Sequence, residues 1–185
     1  MGNTRHRIDN EKPSAFGQAR LLYVSTSKYE GDWQSILHSH PFSELFYVIN
    51  GQGAFLAEGS EFPVKKNDMV IINPHVQHTE KSLPGAPLDY IVLGIEGLSF
   101  SFGRLTTARA GVASQPTPDT VYKYNMSKTN VYSYLNSMLE EITEQQEDYE
   151  AVCQNLLEVL LICILRSGSL SVVPDNSRLL NRECT

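Results

Sequence analysis

With 185 residues, 41% of them hydrophobic, the chain is long enough to bury a core as one domain. A net charge of -6 and a pI of about 5.3 leave no basic stripe for a phosphate backbone, which excludes direct nucleic-acid contact by these residues. The richest apolar run, residues 156–165, is interrupted by Glu158 and is half the roughly twenty residues that a bilayer span needs, so no membrane partner is expected.

In chain order, residues 1–19 are polar, carry Pro13 and Gly17 without an apolar period, and read as a flexible arm. Residues 20–25 and 33–38 read as strands, the second delivering His38. Leu45 to Ile49 is an apolar strand closed by the hairpin signal Asn50-Gly51. Residues 54–58 continue the meander, and Phe62-Pro63-Val64 is a short edge strand, because proline donates nothing to a central ladder. Met69 to Ile72 is apolar at every position, as expected for a strand covered on both faces, and Pro74 stops it. Residues 88–95 and 121–124 complete a set of short strands of the jelly-roll kind, while 97–120, rich in Gly, Ser, Thr, Ala and Pro, reads as a long loop, either a lid or disorder.

The chemistry-bearing stretch is His38-Ser39-His40-Pro41-Phe42-Ser43-Glu44, answered by His78. Two histidines two apart on a strand leave the same face. Three imidazoles and a carboxylate form a borderline N/O donor set that suits Zn, Ni, Fe or Mn rather than calcium or magnesium. His75 sits in a turn and reads as solvated; Ser39 and Ser43 lack a triad and carry no nucleophile assignment. Trp33 and Tyr47 are the candidate ligand-binding aromatics, although a half-buried Trp such as Trp33 more commonly only packs.

His38, His40, Glu44 and Gly51 fit the first motif of the cupin superfamily at every spacing, except that Gly31 stands one residue further back than the leading glycine. Pro63, Pro74 and His78 match the second motif, although Asn67 replaces its turn glycine and no Asn follows His78 where expected. Residues 20–125 therefore resemble a cupin, a double-stranded β-helix or jelly-roll barrel. The resemblance implies that His38, His40, Glu44 and His78 converge as metal ligands.

After Asn125 the period changes to that of helices. Val131, Leu135, Met138, Leu139 and Ile142 recur at helical spacing with Ser127 as the expected N-cap, and a second helix starts near Asp148. Its run Leu156 to Leu165 is apolar around most of its circumference, so either the barrel and first helix cover it or a partner subunit does. A seam of Leu157, Leu161 and Ile164 is the expected homodimer interface. Cys153 and Cys163, about 15 Å apart along that helix, are beyond disulfide reach. Reduced thiols and the lack of an apolar signal core at the N-terminus point to the cytoplasm. A mainly β cupin barrel followed by two C-terminal helices and a linker at 169–185 resembles the N-terminal sensing domain of AraC-type transcription regulators. That resemblance implies a small-molecule effector in the barrel, dimerisation through the hairpin 126–168, and a DNA-binding helix-turn-helix domain that these residues do not contain. A metal-dependent cupin enzyme, a dioxygenase or isomerase, is the competing reading.

Overall fold

Side-chain alternation along the strands decides how the layers form. The computed structural model describes residues 16–28, 36–102, 121–167 and 170–174. Among them run β1 (Arg20–Lys28), β2 (Ser43–Asn50), β3 (Gln52–Ala57), β4 (Ser60–Lys65), β5 (Asp68–Ile72), β6 (His78–Ser82), β7 (Asp89–Glu96), β8 (Leu98–Phe102) and β9 (Val121–Asn125). The helices α1 (Val131–Glu144) and α2 (Tyr149–Ser167) and a last strand β10 (Leu170–Pro174) follow. All pairings are antiparallel, in a five-stranded sheet β1-β7-β2-β5-β9, a three-stranded sheet β4-β3-β6 and a ribbon β10-β8.

The central strands of the large sheet bury both faces, as the unbroken apolar runs predict. Leu45, Tyr47, Met69, Ile71, Ile91 and Leu93 face outward and join α1 and α2 in one core. Phe46, Val48, Val70, Ile72 and Tyr90 face inward and meet Phe55, Ala57 and Val64 of the small sheet in a second core. Each such aliphatic side chain contributes about 1.5–3 kcal/mol on burial, so the two cores together commit the sheet to this sandwich. Pro63 lies on the edge strand β4, as expected. At the hairpin after Asn50, Gly51 has φ of +85°, and a Cβ there would stand 2.0 Å from the Pro87 carbonyl oxygen. Asn67 takes φ of 68° at the turn where the motif's glycine is replaced, a conformation asparagine tolerates.

Four expectations change. The first helix begins after Asn130, because the intervening turn, with Thr129 N donating to Met126 O, keeps Ser127 three residues short of the cap. Residues 98–102 and 170–174, expected within a loop and a linker, pair with each other as β8 and β10, in register from Leu170↔Phe102 to Pro174↔Leu98. The arm is not wholly free: Phe16 and Ala19 are buried in the helix-side core, while residues 1–15 lie outside the described residues. The fourth concerns the seam. Leu157, Leu161 and Ile164 are all 0% exposed within the single chain, because α2 lies across the outer face of the large sheet and turns these residues, with Leu160, into the core. The apolar residues that α2 leaves outside are Val152, Val159 and Ile162, at 37–38% exposure.

Candidate metal centre

Strand pairing brings the four candidate ligands together from separate parts of the chain. His38 and His78 form an antiparallel bridge, with His38 N donating to His78 O at 3.1 Å and His78 N to His38 O at 2.9 Å. Their rings come within 4.4 Å. Glu44 opens the inward face of β2, and its Oε2 lies 3.1 Å from His40 Nε2 and 3.0 Å from His78 Nε2. One ligand atom from each of His38, His40, Glu44 and His78 falls within 4.8 Å of all the others. Atoms bonded to one ion at about 2.0–2.2 Å stand at most about 4.4 Å apart, so the four side chains would close by a few tenths of an ångström around an ion. His40 is stacked on Phe42 at 4.2 Å and His78 on Phe55 at 5.8 Å, which limits rotation of both rings.

The hydrogen-bond chemistry prepares the site for a cation. Nδ1 of His38, His40 and His78 donates to the carbonyls of Ile36, Phe42 and Val76 at 3.0, 2.8 and 2.9 Å. A carbonyl only accepts, so the proton belongs on Nδ1 and each neutral ring keeps its lone pair on Nε2. Two of those lone pairs face a carboxylate oxygen, an arrangement that requires positive charge between them, either a proton or a metal ion. Burial works to lower the His40 pKa, but the hydrogen bond and charge of Glu44 raise it above the ordinary 6.5. Burial works to raise that of Glu44, and hydrogen bonds with His40, His78 and Tyr23 bring it down to about 2.

Tyr23 is the residue that sequence reading missed. Its Oη donates to Glu44 Oε1 at 2.6 Å, and burial together with that carboxylate pushes its pKa well up. A bulge in β1 between Leu21 and Tyr23 allows this: Leu21 and Val24, three residues apart, both reach the helix-side core, and Tyr23 turns inward. Gly94 pairs with both Tyr23 and Glu44, and a Cβ on it would stand 2.4 Å from the Tyr23 ring. The missing side chain is what lets the phenol lie across β7.

Beside the His–Glu cluster is a cavity of about 200 Å³. Tyr23, Ser25 and Ser27 of β1 supply hydroxyls, Phe46, Phe55 and Val92 an apolar wall, and Glu80 with Tyr90 a second polar pair. Of the two expected ligand-binding aromatics, Trp33 lies outside the described residues. Tyr47 is placed elsewhere: three residues after Glu44, it faces away from the cavity, donates to Asn67 Oδ1 at 3.0 Å and stacks on Tyr132 of α1. His75 is exposed at φ of 67°, and Ser43 is buried, donating to Leu98 O at 2.9 Å.

The family model for the AraC-like ligand binding domain matches residues 25–165. The chain belongs to that family. Among curated relatives, this AraC-like domain is 32% identical over 56 residues to an uncharacterized protein of Methanocaldococcus jannaschii, covering 30% of this chain and 45% of that one. It is 30% identical over 59 residues to the uncharacterized HTH-type transcriptional regulator YfiF of Bacillus subtilis, covering 32% of this chain and 19% of that one. The matched stretches thus span less than half the length of either relative. A solved cupin protein from Bacteroides fragilis aligns over 62% of this chain and 99% of its own, at 16% identity and a TM-score of 0.37. The AraC-like domain is a cupin barrel followed by two helices. No helix among the described residues is long and apolar enough to cross a membrane.

Proposed function

We propose that this AraC-like domain is the effector-binding and dimerisation half of a transcription regulator, and that a divalent transition metal held by His38, His40, Glu44 and His78 forms the floor of its effector site. The observation that carries the reading is the cavity of about 200 Å³ set directly against those ligands in a chain of this family. Three Nε2 atoms and one carboxylate oxygen leave positions of an ion's coordination sphere for a ligand. A metal bound there supplies a Lewis-acidic anchor for an oxygen-bearing effector. The protein's own part is to fix the three imidazole tautomers through Nδ1, to orient Glu44 through Tyr23, and to exclude water with Phe46, Phe55 and Val92.

The domain layout follows from the same reading. Residues 20–125 bind the effector, 126–168 dimerise, and the chain beyond β10 leads toward a DNA-binding domain. The proposed dimer face is the outer side of α2, where Val152, Val159 and Ile162 are exposed. A sensor must also bind its effector with different free energy in two states of the regulator. Denaturing the purified protein and identifying released small molecules by mass spectrometry tests the effector site: a stoichiometric metabolite supports it, and a protein that neither retains nor binds any small molecule contradicts it.

The open coordination positions also favour a second reading, a metal-dependent cupin dioxygenase or isomerase. Turnover of a candidate substrate by iron- or manganese-loaded protein, lost in Glu44→Ala, would reverse the preference.

A further inference from the structure

β1 is an edge of the large sheet, paired with β7 on one side and with no strand on the other among the described residues. None of its nine residues is buried, so its own side chains specify its register weakly. Register nevertheless decides the site. Gly94 of β7 stands opposite Tyr23 on one side and opposite Glu44 on the other, which is how the phenol reaches the carboxylate across a residue without a side chain. A slip of one residue would bring Leu22 or Val24 over Gly94, and neither carries a hydroxyl.

Gln154 of α2 meets that edge just before the bulge. Its Oε1 accepts from Leu21 N at 3.0 Å and its Nε2 donates to Ala19 O at 2.9 Å. In an extended chain the carbonyl of one residue and the N–H two positions on share an edge, so the side-chain amide stands in for a peptide unit of a neighbouring strand. The amide has only one orientation, since an N–H donates and a carbonyl accepts. Its neighbours on the helix, Cys153 and Leu157, are buried in the helix-side core, which anchors it. The ladder skips Leu22, passing from Leu21↔Ile95 to Tyr23↔Gly94, and the two hydrogen bonds hold the residues that precede the skip. The Arg20–Glu96 ion pair lies on the same stretch, but the arginine side chain is 67% exposed and such pairs hold weakly. We propose that Gln154 is a positioning residue for the His–Glu site: by pairing with the edge of β1 it keeps the skipped residue at Leu22 and so sets the Tyr23 hydroxyl on Glu44. This deepens the reading of the site given above, and the first arm of its test needs no metal.

Proton NMR of the metal-free full chain reads the register through the contact between the Tyr23 ring and the Gly94 α-protons. That contact should be present in the wild-type chain and largely lost in Gln154→Leu, with the signals of the core between sheet and helices retained. Gln154→Glu, which removes the donation to Ala19 O alone, should weaken it too and covers the case in which the leucine variant does not fold. Calorimetric zinc titration is the second arm. Tyr23→Phe should bind zinc about tenfold more weakly, as expected when a group that orients a metal-binding carboxylate is removed. Gln154→Leu should shift affinity in the same direction, and the two changes combined should cost no more than Tyr23→Phe alone. A ring contact at full strength in both Gln154 variants overturns the proposal, as does its absence from the wild-type chain. Additive losses of zinc affinity overturn it too, because Gln154 would then act by a route other than Tyr23. A wild-type chain that binds no zinc would remove the metal reading, while loss of the ring contact in the variants would still uphold this inference.

Discussion

Glu44 is the residue on which the site turns, since it accepts from Tyr23 and faces two imidazoles. Its folded pKa of about 2 lies below the ordinary 4.5, so its contribution to stability is complete above about pH 4.5 and disappears as pH falls toward 2. The His40 pKa is raised above 6.5, so its contribution is complete below pH 6.5 and disappears as pH rises through the folded value. Metal-free protein should therefore be most stable between about pH 4.5 and 6.5 in denaturant unfolding followed against pH. Metal affinity has the opposite sign, because binding needs the unprotonated Nε2 atoms, and should rise above that window. A stability that climbs steadily from pH 6 to 8 without metal would show that His40 and Glu44 are not coupled. Gly94→Ala tests the support beneath: its Cβ would enter the Tyr23 ring, at an expected cost of about 1–3 kcal/mol. Unchanged stability in that variant would mean that the phenol does not lie over position 94.

At the scale of elements, α2 faces two ways. Leu161→Ala should cost about 2–5 kcal/mol, since the side chain is wholly buried in the core between sheet and helices. Val159→Glu with Ile162→Glu should leave the fold intact and give a monomer by analytical ultracentrifugation at micromolar concentration; a double variant that still sediments as a dimer would move the interface elsewhere. Gln154 gives α2 a hold on the barrel, accepting from Leu21 N at 3.0 Å and donating to Ala19 O at 2.9 Å at the start of β1, two residues before Tyr23. The sequence made much of this legible and some of it not. His38, His40, Glu44 and His78 stood out by spacing alone, since His38 sits on an isolated bridge and His40 outside any strand; strand parity, applied to Tyr47, would have turned it away from the cavity. Tyr23 was hidden by a bulge that moves a side chain to the other face without a sequence mark. The seam on α2 was misplaced because a helix apolar on most sides does not say which side a sheet will cover, and β8 with β10 was missed because short alternation beside Gly, Ser and Pro resembles loop.

For the whole molecule, the acidic balance and the His–Glu cluster would divide labour between this domain and the DNA-binding domain proposed to follow it. The domain alone should show no salt-sensitive retention on operator DNA, as its net charge of -6 implies. Its proposed contribution is the effector site, built where β2 of the large sheet, β6 of the small sheet and the segment before β2 meet. Metal analysis of tag-free protein, beside His40→Ala and Glu44→Ala, tests that centre most directly. The account predicts close to one transition-metal ion per wild-type chain and a large loss in both variants; substoichiometric metal in all three, with effector affinity unchanged, would contradict it.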